Sequence, residues 1–62
     1  MKDMLGRLEK LRSDADDCDL ISKLATDPYK RQAFAKLATD YREMAATLEA
    51  VIKKAQEGTS TT

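Results

Sequence analysis

The sequence predicts an all-α fold, an antiparallel two-helix hairpin that pairs with a second copy to form a four-helix bundle. Three observations predict it. The second half of the chain repeats apolar residues at alternating spacings of three and four. An Asp-Pro dipeptide divides the chain near its middle, and so short a connection favours two antiparallel helices. Finally, 62 residues make at most one small domain, which we place at residues 1–58.

The first helix is predicted over about residues 3–26. Apolar residues recur along it with a spacing of about 3.5 and are Met4, Leu8, Leu11, Ala15 and Cys18. The same spacing then reaches Ser22, whereas three apolar residues lie off the line, namely Leu20, Ile21 and Leu24. The apolar face therefore rotates toward the end of the helix, and we expect this end to contact more than one neighbour.

An alternative is a break in the first helix at Ser13, which would cap a second segment with Asp16 three residues further on. Opposite charges at i,i+4 favour one continuous helix instead. These pairs are Lys10 with Asp14, Arg12 with Asp16, and Asp19 with Lys23.

The turn between the helices is predicted at Thr26, Asp27 and Pro28. Proline disfavours the α conformation in the residue before it, so the first helix should end near Ala25 or Thr26. The same proline suits the first position of a new helix. We therefore predict that Asp27 is the N-cap of the second helix and accepts a hydrogen bond from a free backbone amide.

The second helix is predicted over about residues 28–57. Its a and d positions hold an apolar heptad pattern, Phe34, Leu37, Tyr41, Met44, Leu48, Val51 and Ala55, and its e positions add Ala38, Ala45 and Ile52. Glu49 and Lys53 are expected to pair at i,i+4. Gly58 is a predicted C-terminal stop, and residues 59–62 are expected to form a disordered tail.

The charge balance argues against a nucleic-acid partner. Eleven basic and eleven acidic residues give a net charge of zero, whereas affinity for nucleic acid comes largely from excess Lys and Arg. The neutrality is uneven, because residues 1–13 carry +4−2 = +2, residues 14–27 carry +1−5 = −4, and residues 28–62 carry +6−4 = +2.

No apolar run approaches the roughly 20 residues of a membrane span, and none near the N-terminus suits a signal peptide. We therefore expect a cytoplasmic protein with no membrane contact.

The residues that carry chemistry are too few for catalysis. The chain has no His, so neither a His-activated nucleophile nor a closed zinc site made mostly of Cys and His is available. Cys18 is the only thiol and has Asp17 and Asp19 beside it, whereas thiol activation needs a base or a positive field. We expect Cys18 to be a small core or interface residue, and the protein to be no enzyme and to hold no cofactor or metal.

The acidic cluster of Asp14, Asp16, Asp17 and Asp19 does not form a calcium loop. Counted from Asp14, position six is Asp19 where glycine is needed, and position twelve is Ala25 where a bidentate glutamate is needed. We interpret the cluster as a solvated helix face, with a docking patch for a basic partner as the alternative.

The residues from 21 to 52 resemble a group of short, uncharacterised helical proteins of alphaproteobacteria, which carry an Ala-x-x-Thr-Asp-Pro…Leu-Ala-x-x-Tyr pattern. The matching residues here are Leu24-Ala25-Thr26-Asp27-Pro28, Arg31, Leu37-Ala38, Tyr41-Arg42, Met44-Ala45 and Glu49. The likeness covers about half of the chain, and the aspartate run lies outside it. The resemblance implies a helical hairpin of bacterial origin and no particular activity.

These observations favour a non-enzymatic protein that self-associates and acts as a protein-interaction or regulatory module. The residues predicted to form the interface are Leu8, Leu11, Cys18, Ile21, Phe34, Leu37, Tyr41, Met44, Leu48, Val51 and Ile52. One alternative is an adaptor that docks its apolar helix face onto a larger protein. Another is a small DNA-associated regulator, suggested only by the doublets Lys30-Arg31 and Lys53-Lys54.

Overall fold

The computed structural model describes the backbone of residues 2–60 and the side chains of residues 3–57. It consists of two helices, α1 (Lys2–Leu24) and α2 (Pro28–Ser60), which pack against each other and are joined by residues 25–27. The predicted all-α fold is therefore confirmed at the level of two packed helices. The molecule measures 53 × 15 × 11 Å, which is one long helix in length and little more than one helix in thickness.

α1 is continuous through Ser13, so the alternative with a break there is wrong. It ends at Leu24, slightly earlier than predicted, with the Ala25 amide donating to the carbonyls of Ile21 and Ser22 at 3.0 and 3.3 Å. The chain then needs three residues outside either helix to reverse direction. α2 continues through Gly58 to Ser60, so Thr59 and Ser60, predicted to lie in a disordered tail, have helical backbone; Thr61 and Thr62 lie outside the described residues.

The predicted cap of α2 is confirmed. The carboxylate of Asp27 accepts a hydrogen bond from the Tyr29 amide at 2.9 Å, and the Asp27 carbonyl accepts the first helical bond from the Arg31 amide, also at 2.9 Å. Pro28 occupies the first helical position, where its missing N–H costs no hydrogen bond.

Arg31 closes the turn in a way that sequence reasoning missed. Its guanidinium donates from Nε and Nη2 to the Ala25 carbonyl, at 3.3 and 2.9 Å. Its own carbonyl accepts a hydrogen bond of 2.7 Å from the Ser22 hydroxyl, which is buried at the end of α1. One residue of α2 thus satisfies two polar groups, the Ala25 carbonyl and the Ser22 hydroxyl, and ties the start of α2 to the end of α1.

The buried core between the helices is narrow and made mostly of small side chains. Its apolar members are Leu8, Ala15, Cys18, Ala38, Ala45 and Ile52. Leu8, Ala45 and Ile52 form its largest cluster, against which Met4, Leu11 and Leu48 pack with part of their surface exposed. Small side chains at a helix contact let the two axes approach closely, and the larger apolar side chains pack toward the open end of the hairpin.

Replacing Arg31 should open the turn. Arg31→Ala removes two hydrogen bonds from a charged donor, so we expect it to lower the free energy of unfolding by about 1.5 kcal/mol. Lys30→Ala is the matched control, since it removes an exposed basic side chain from the adjacent position of α2. Urea unfolding followed by circular dichroism measures both, and equal effects of the two substitutions would show that Arg31 does not hold the turn.

Candidate interaction surface

An exposed apolar line runs along α2 and is formed by Leu37, Met44 and Val51, which we call the α2 stripe. These side chains are 41%, 47% and 49% exposed. Each comes one residue before a buried residue of the core, Ala38, Ala45 or Ile52, and is therefore turned by about 100° from the contact with α1. Because the spacing is seven residues, the three side chains lie almost in line, drifting by only about 20° per repeat.

Only part of the predicted apolar face of α2 packs on α1, and the rest points away from it. Phe34, Tyr41 and Leu48 are half-buried, and together with Ala38, Ala45 and Ile52 they form the side that packs on α1. The α2 stripe points away from α1. The sequence pattern placed the a, d and e positions on one broad face, and a single neighbouring helix covers only the a and e positions.

The other predicted interface residues lie in α1 and differ in exposure. Leu8 and Cys18 are buried in the core, Leu11 is half-buried against it, and Ile21 is 38% exposed. Leu8, Cys18 and Ile52 therefore pack inside one hairpin, whereas Ile21 and the α2 stripe are accessible to a partner.

A shallow groove follows the α2 stripe on its outer side. Its lining residues are Asp40, Glu43, Met44, Thr47, Leu48 and Val51. At its rim Lys36 donates a hydrogen bond of 2.6 Å to Asp40, and this bond raises the pKa of the Lys36 ammonium above its ordinary value of 10.5. The groove thus has an apolar floor and a charged edge, the arrangement of core and rim found at protein–protein interfaces.

The opposite side of the hairpin is polar and carries the ion pairs between the helices. Arg12 Nη2 lies 2.7 Å from Glu49 Oε2, and Arg42 Nη2 lies 3.9 Å from Asp16 Oδ1 and 4.0 Å from Asp19 Oδ2. Arg42 and Glu49 each follow a buried alanine by four residues, which turns them by about 40° in the direction opposite to the α2 stripe. The hairpin therefore carries these ion pairs on one side and the α2 stripe on the other, and the ion-paired side also exposes Leu5, which lines a second groove with Ala46 and Ala50.

Two of the predicted i,i+4 pairs are confirmed, and others are replaced by pairs between the helices. Lys10 with Asp14 and Lys23 with Asp19 both have N–O distances of 3.0 Å. Arg12 was predicted to pair with Asp16, and Glu49 with Lys53. Arg12 and Glu49 instead bind each other across the hairpin, an interaction that helical spacing within one element cannot reveal.

Three of the four members of the acidic cluster of α1 take part in these ion pairs. Asp14 binds Lys10, Asp19 binds Lys23, and Asp16 faces Arg42. Among the described side chains no group of three or more potential ligands is arranged to hold a metal ion. The cluster thus acts as a set of ion-pair partners on the surface of the hairpin.

A second exposed apolar patch lies near the turn, on the outer surface of α1 and at the start of α2. Leu20, Leu24 and Tyr29 are 57%, 73% and 82% exposed, and we call them the corner patch. Leu20 and Leu24 are one helical turn apart and therefore neighbours on the surface of α1. The expectation that this end of α1 has a further contact stays a prediction, and the exposure of these side chains makes them accessible to a partner.

Within residues 2–60, neither helix combines the length and the apolar character that a membrane span requires. No protein-family model, curated protein or solved structure matches the chain. The resemblance to the alphaproteobacterial proteins therefore stays a prediction. The function is inferred from the exposed side chains of the hairpin.

Acid should weaken the polar side of the hairpin through Asp19. The hydrogen bond from Lys23 lowers the pKa of the Asp19 carboxyl below its ordinary value of 3.8, so the unfolded chain binds this proton more tightly than the folded one. The stabilisation by Asp19 is complete above the ordinary pKa and is lost as the pH falls through the lowered one.

We expect stability to fall between about pH 5 and pH 2, and Asp19→Asn to flatten the fall. Urea midpoints measured across this range test the expectation. Asp17→Asn, on the exposed surface of the same helix, is the control. An unchanged slope in Asp19→Asn would show that the pair with Lys23 does not favour the charged carboxyl.

Proposed function

We propose that the chain is a non-enzymatic protein-interaction module that self-associates through the α2 stripe, with two hairpins forming a four-helix bundle. The observation that carries the proposal is the exposure of Leu37, Met44 and Val51 at an unbroken heptad spacing. A heptad of apolar side chains is the pattern by which one helix recognises another, and α1 does not use this part of it.

The exposed area of the hairpin supports a partner of this size. The chain exposes 4928 Å², whereas a compact monomer of 6.9 kDa exposes about 4000 Å². The excess of about 900 Å² comes from the elongated shape of the hairpin. A second hairpin laid against the apolar side would cover part of it, and an interface of standard size takes roughly 800 Å² from each partner.

The side chains of the α2 stripe suit such a contact. Each is 41–49% exposed, so its burial removes apolar surface from water at about 25 cal/mol per Å². Met44 lies in the middle of the line, and its flexible thioether side chain can fill an irregular gap between two helices. The bundle would give a chain of this length the larger core that a lone hairpin lacks.

A charge placed in the α2 stripe should separate the copies. We expect the wild-type protein to have twice the mass of 6.9 kDa by light scattering at micromolar concentration, and Met44→Glu to have the mass of one chain. Burying an unpaired carboxylate in the interface is costly, whereas the same substitution leaves the hairpin core intact.

Thr39→Glu is the matched control, because it introduces the same side chain at an exposed position of α2, which lies two residues after Leu37 and is turned by about 160° from it. It should keep the mass of the dimer. A well-folded wild-type monomer, or equal dissociation of both variants, contradicts the proposal.

A second candidate function, an adaptor that docks onto a larger protein, is favoured by the corner patch. Leu20, Leu24 and Tyr29 lie outside the α2 stripe, so self-association through that stripe leaves them exposed. If they bind another protein, Leu24→Glu should keep the mass of the dimer and lose a stoichiometric partner that purifies with the wild-type protein from its native host. Thr39→Glu, at an exposed position about 15 Å further along α2 than Tyr29, should keep that partner. Retention of the partner by Leu24→Glu would contradict the adaptor function.

A further inference from the structure

The charges of the hairpin are separated along its long axis. The boundary between the two charged halves crosses the hairpin between the Arg12–Glu49 ion pair and the contact of Arg42 with Asp16. On the side of the turn, residues 14–43 carry five basic and seven acidic residues, a net charge of −2. On the open side, residues 1–13 and 44–62 carry six basic and four acidic residues, a net charge of +2.

The middle of the α2 stripe coincides with this boundary. Met44 is the central residue of the stripe, with Leu37 seven residues toward the turn and Val51 seven residues toward the open end. No charged residue lies between Glu43 and Glu49 on α2. On α1 the boundary passes beside Asp14, and counting Asp14 with the open side changes the net charges to −1 and +1 without changing their signs. The apolar stripe and the charge distribution thus share one centre.

We propose that two copies pack with α2 antiparallel to α2 of the second copy, around a two-fold axis at Met44. This inference rests on the proposed self-association and adds the orientation and the register. Met44 then meets Met44 of the second copy, and Leu37 meets Val51 of the second copy. Each negative half lies beside a positive half, and the contact closes as an isologous dimer.

Electrostatics decides the orientation because the apolar contribution does not. A parallel dimer would bury the same three side chains, each against its own copy, so its apolar area would be similar. It would, however, place the two halves of charge −2 side by side, as well as the two halves of charge +2. The macrodipoles of the two α2 helices also favour the antiparallel arrangement, since the positive end of each then lies near the negative end of the other.

Disulfide trapping in the full chain tests the orientation. The variants Met44→Cys, Leu37→Cys and Val51→Cys are made with Cys18→Ala, so that each chain has one thiol. Antiparallel packing predicts that Met44→Cys forms a covalent dimer, that Leu37→Cys and Val51→Cys alone do not, and that a mixture of those two forms a mixed dimer. In this packing the two copies of residue 37 lie about 21 Å apart along the axis, since they are offset by 14 residues, and a disulfide needs Cα atoms within about 7 Å.

The outcomes separate the orientation from self-association. Covalent homodimers of Leu37→Cys and of Val51→Cys would overturn the antiparallel arrangement while leaving the proposed function in place. A reduced dimer with no disulfide at any of the three positions would overturn the α2 contact. A wild-type monomer would overturn the proposed function itself.

Salt dependence gives an independent readout on the wild-type protein. Ions screen the attraction between opposite halves, so the dissociation constant of an antiparallel dimer should rise several-fold between low and near-molar sodium chloride. In a parallel dimer the ions would instead screen the repulsion between halves of like charge. Its dissociation constant would then fall over the same range, and that result would overturn the proposal.

Discussion

A helix packed against a single neighbour can bury only one strip of its surface, and the rest of this structure depends on that constraint. α2 has apolar residues over three of its seven heptad positions, which is the width typical of a helix inside a bundle. α1 covers two of those positions, and the third forms the α2 stripe. The exposed stripe therefore follows from the number of helices, because any second helix of ordinary width would leave part of so broad a face open.

The interactions between the helices also determine which side stays open. The core contact is made mainly by small side chains such as Ala15, Ala38 and Ala45, so the helices approach closely and their flanking residues come within reach of each other. On one flank Arg12 meets Glu49, and Arg42 faces two aspartates. On the other flank α2 presents Met44 and its two apolar neighbours. Ion pairs so exposed add little to stability, and their main consequence is that one side of the hairpin is occupied by charge.

The elements themselves could be predicted from local signals. The cap at Asp27 and the start of α2 at Pro28 rest on chemistry within a few residues, and the continuity of α1 rests on helical spacing. Ser22 also gave a signal, since it continues the spacing of Leu8, Ala15 and Cys18. A serine on an apolar line predicts burial with a hydrogen-bond partner, and the partner is the Arg31 carbonyl.

The contacts across the hairpin could not be predicted, because they depend on the register between the helices. Arg12 has an acidic residue at helical spacing, Asp16, and a second one, Glu49, that lies 37 positions away in the sequence. Nothing local chooses between them. The same holds for the apolar face of α2, where periodicity shows that Leu37 and Ala38 are both interior in character, but only the direction of α1 shows which of them is buried.

The register between the helices also determines how the charges of this neutral chain are distributed along the hairpin. In the linear sequence the acidic segment 14–27 is followed by a basic one, 28–62, and the hairpin folds part of the second back beside the first. This partly neutralises the half near the turn, where −4 becomes −2, and leaves a balancing excess of +2 at the open end. A second molecule in the same orientation would double each excess, and one in the opposite orientation would cancel both. Since the apolar side alone does not distinguish head from tail, the placement of a few surface charges would supply the directional information for the proposed assembly, which is the role that electrostatic complementarity has at interfaces in general.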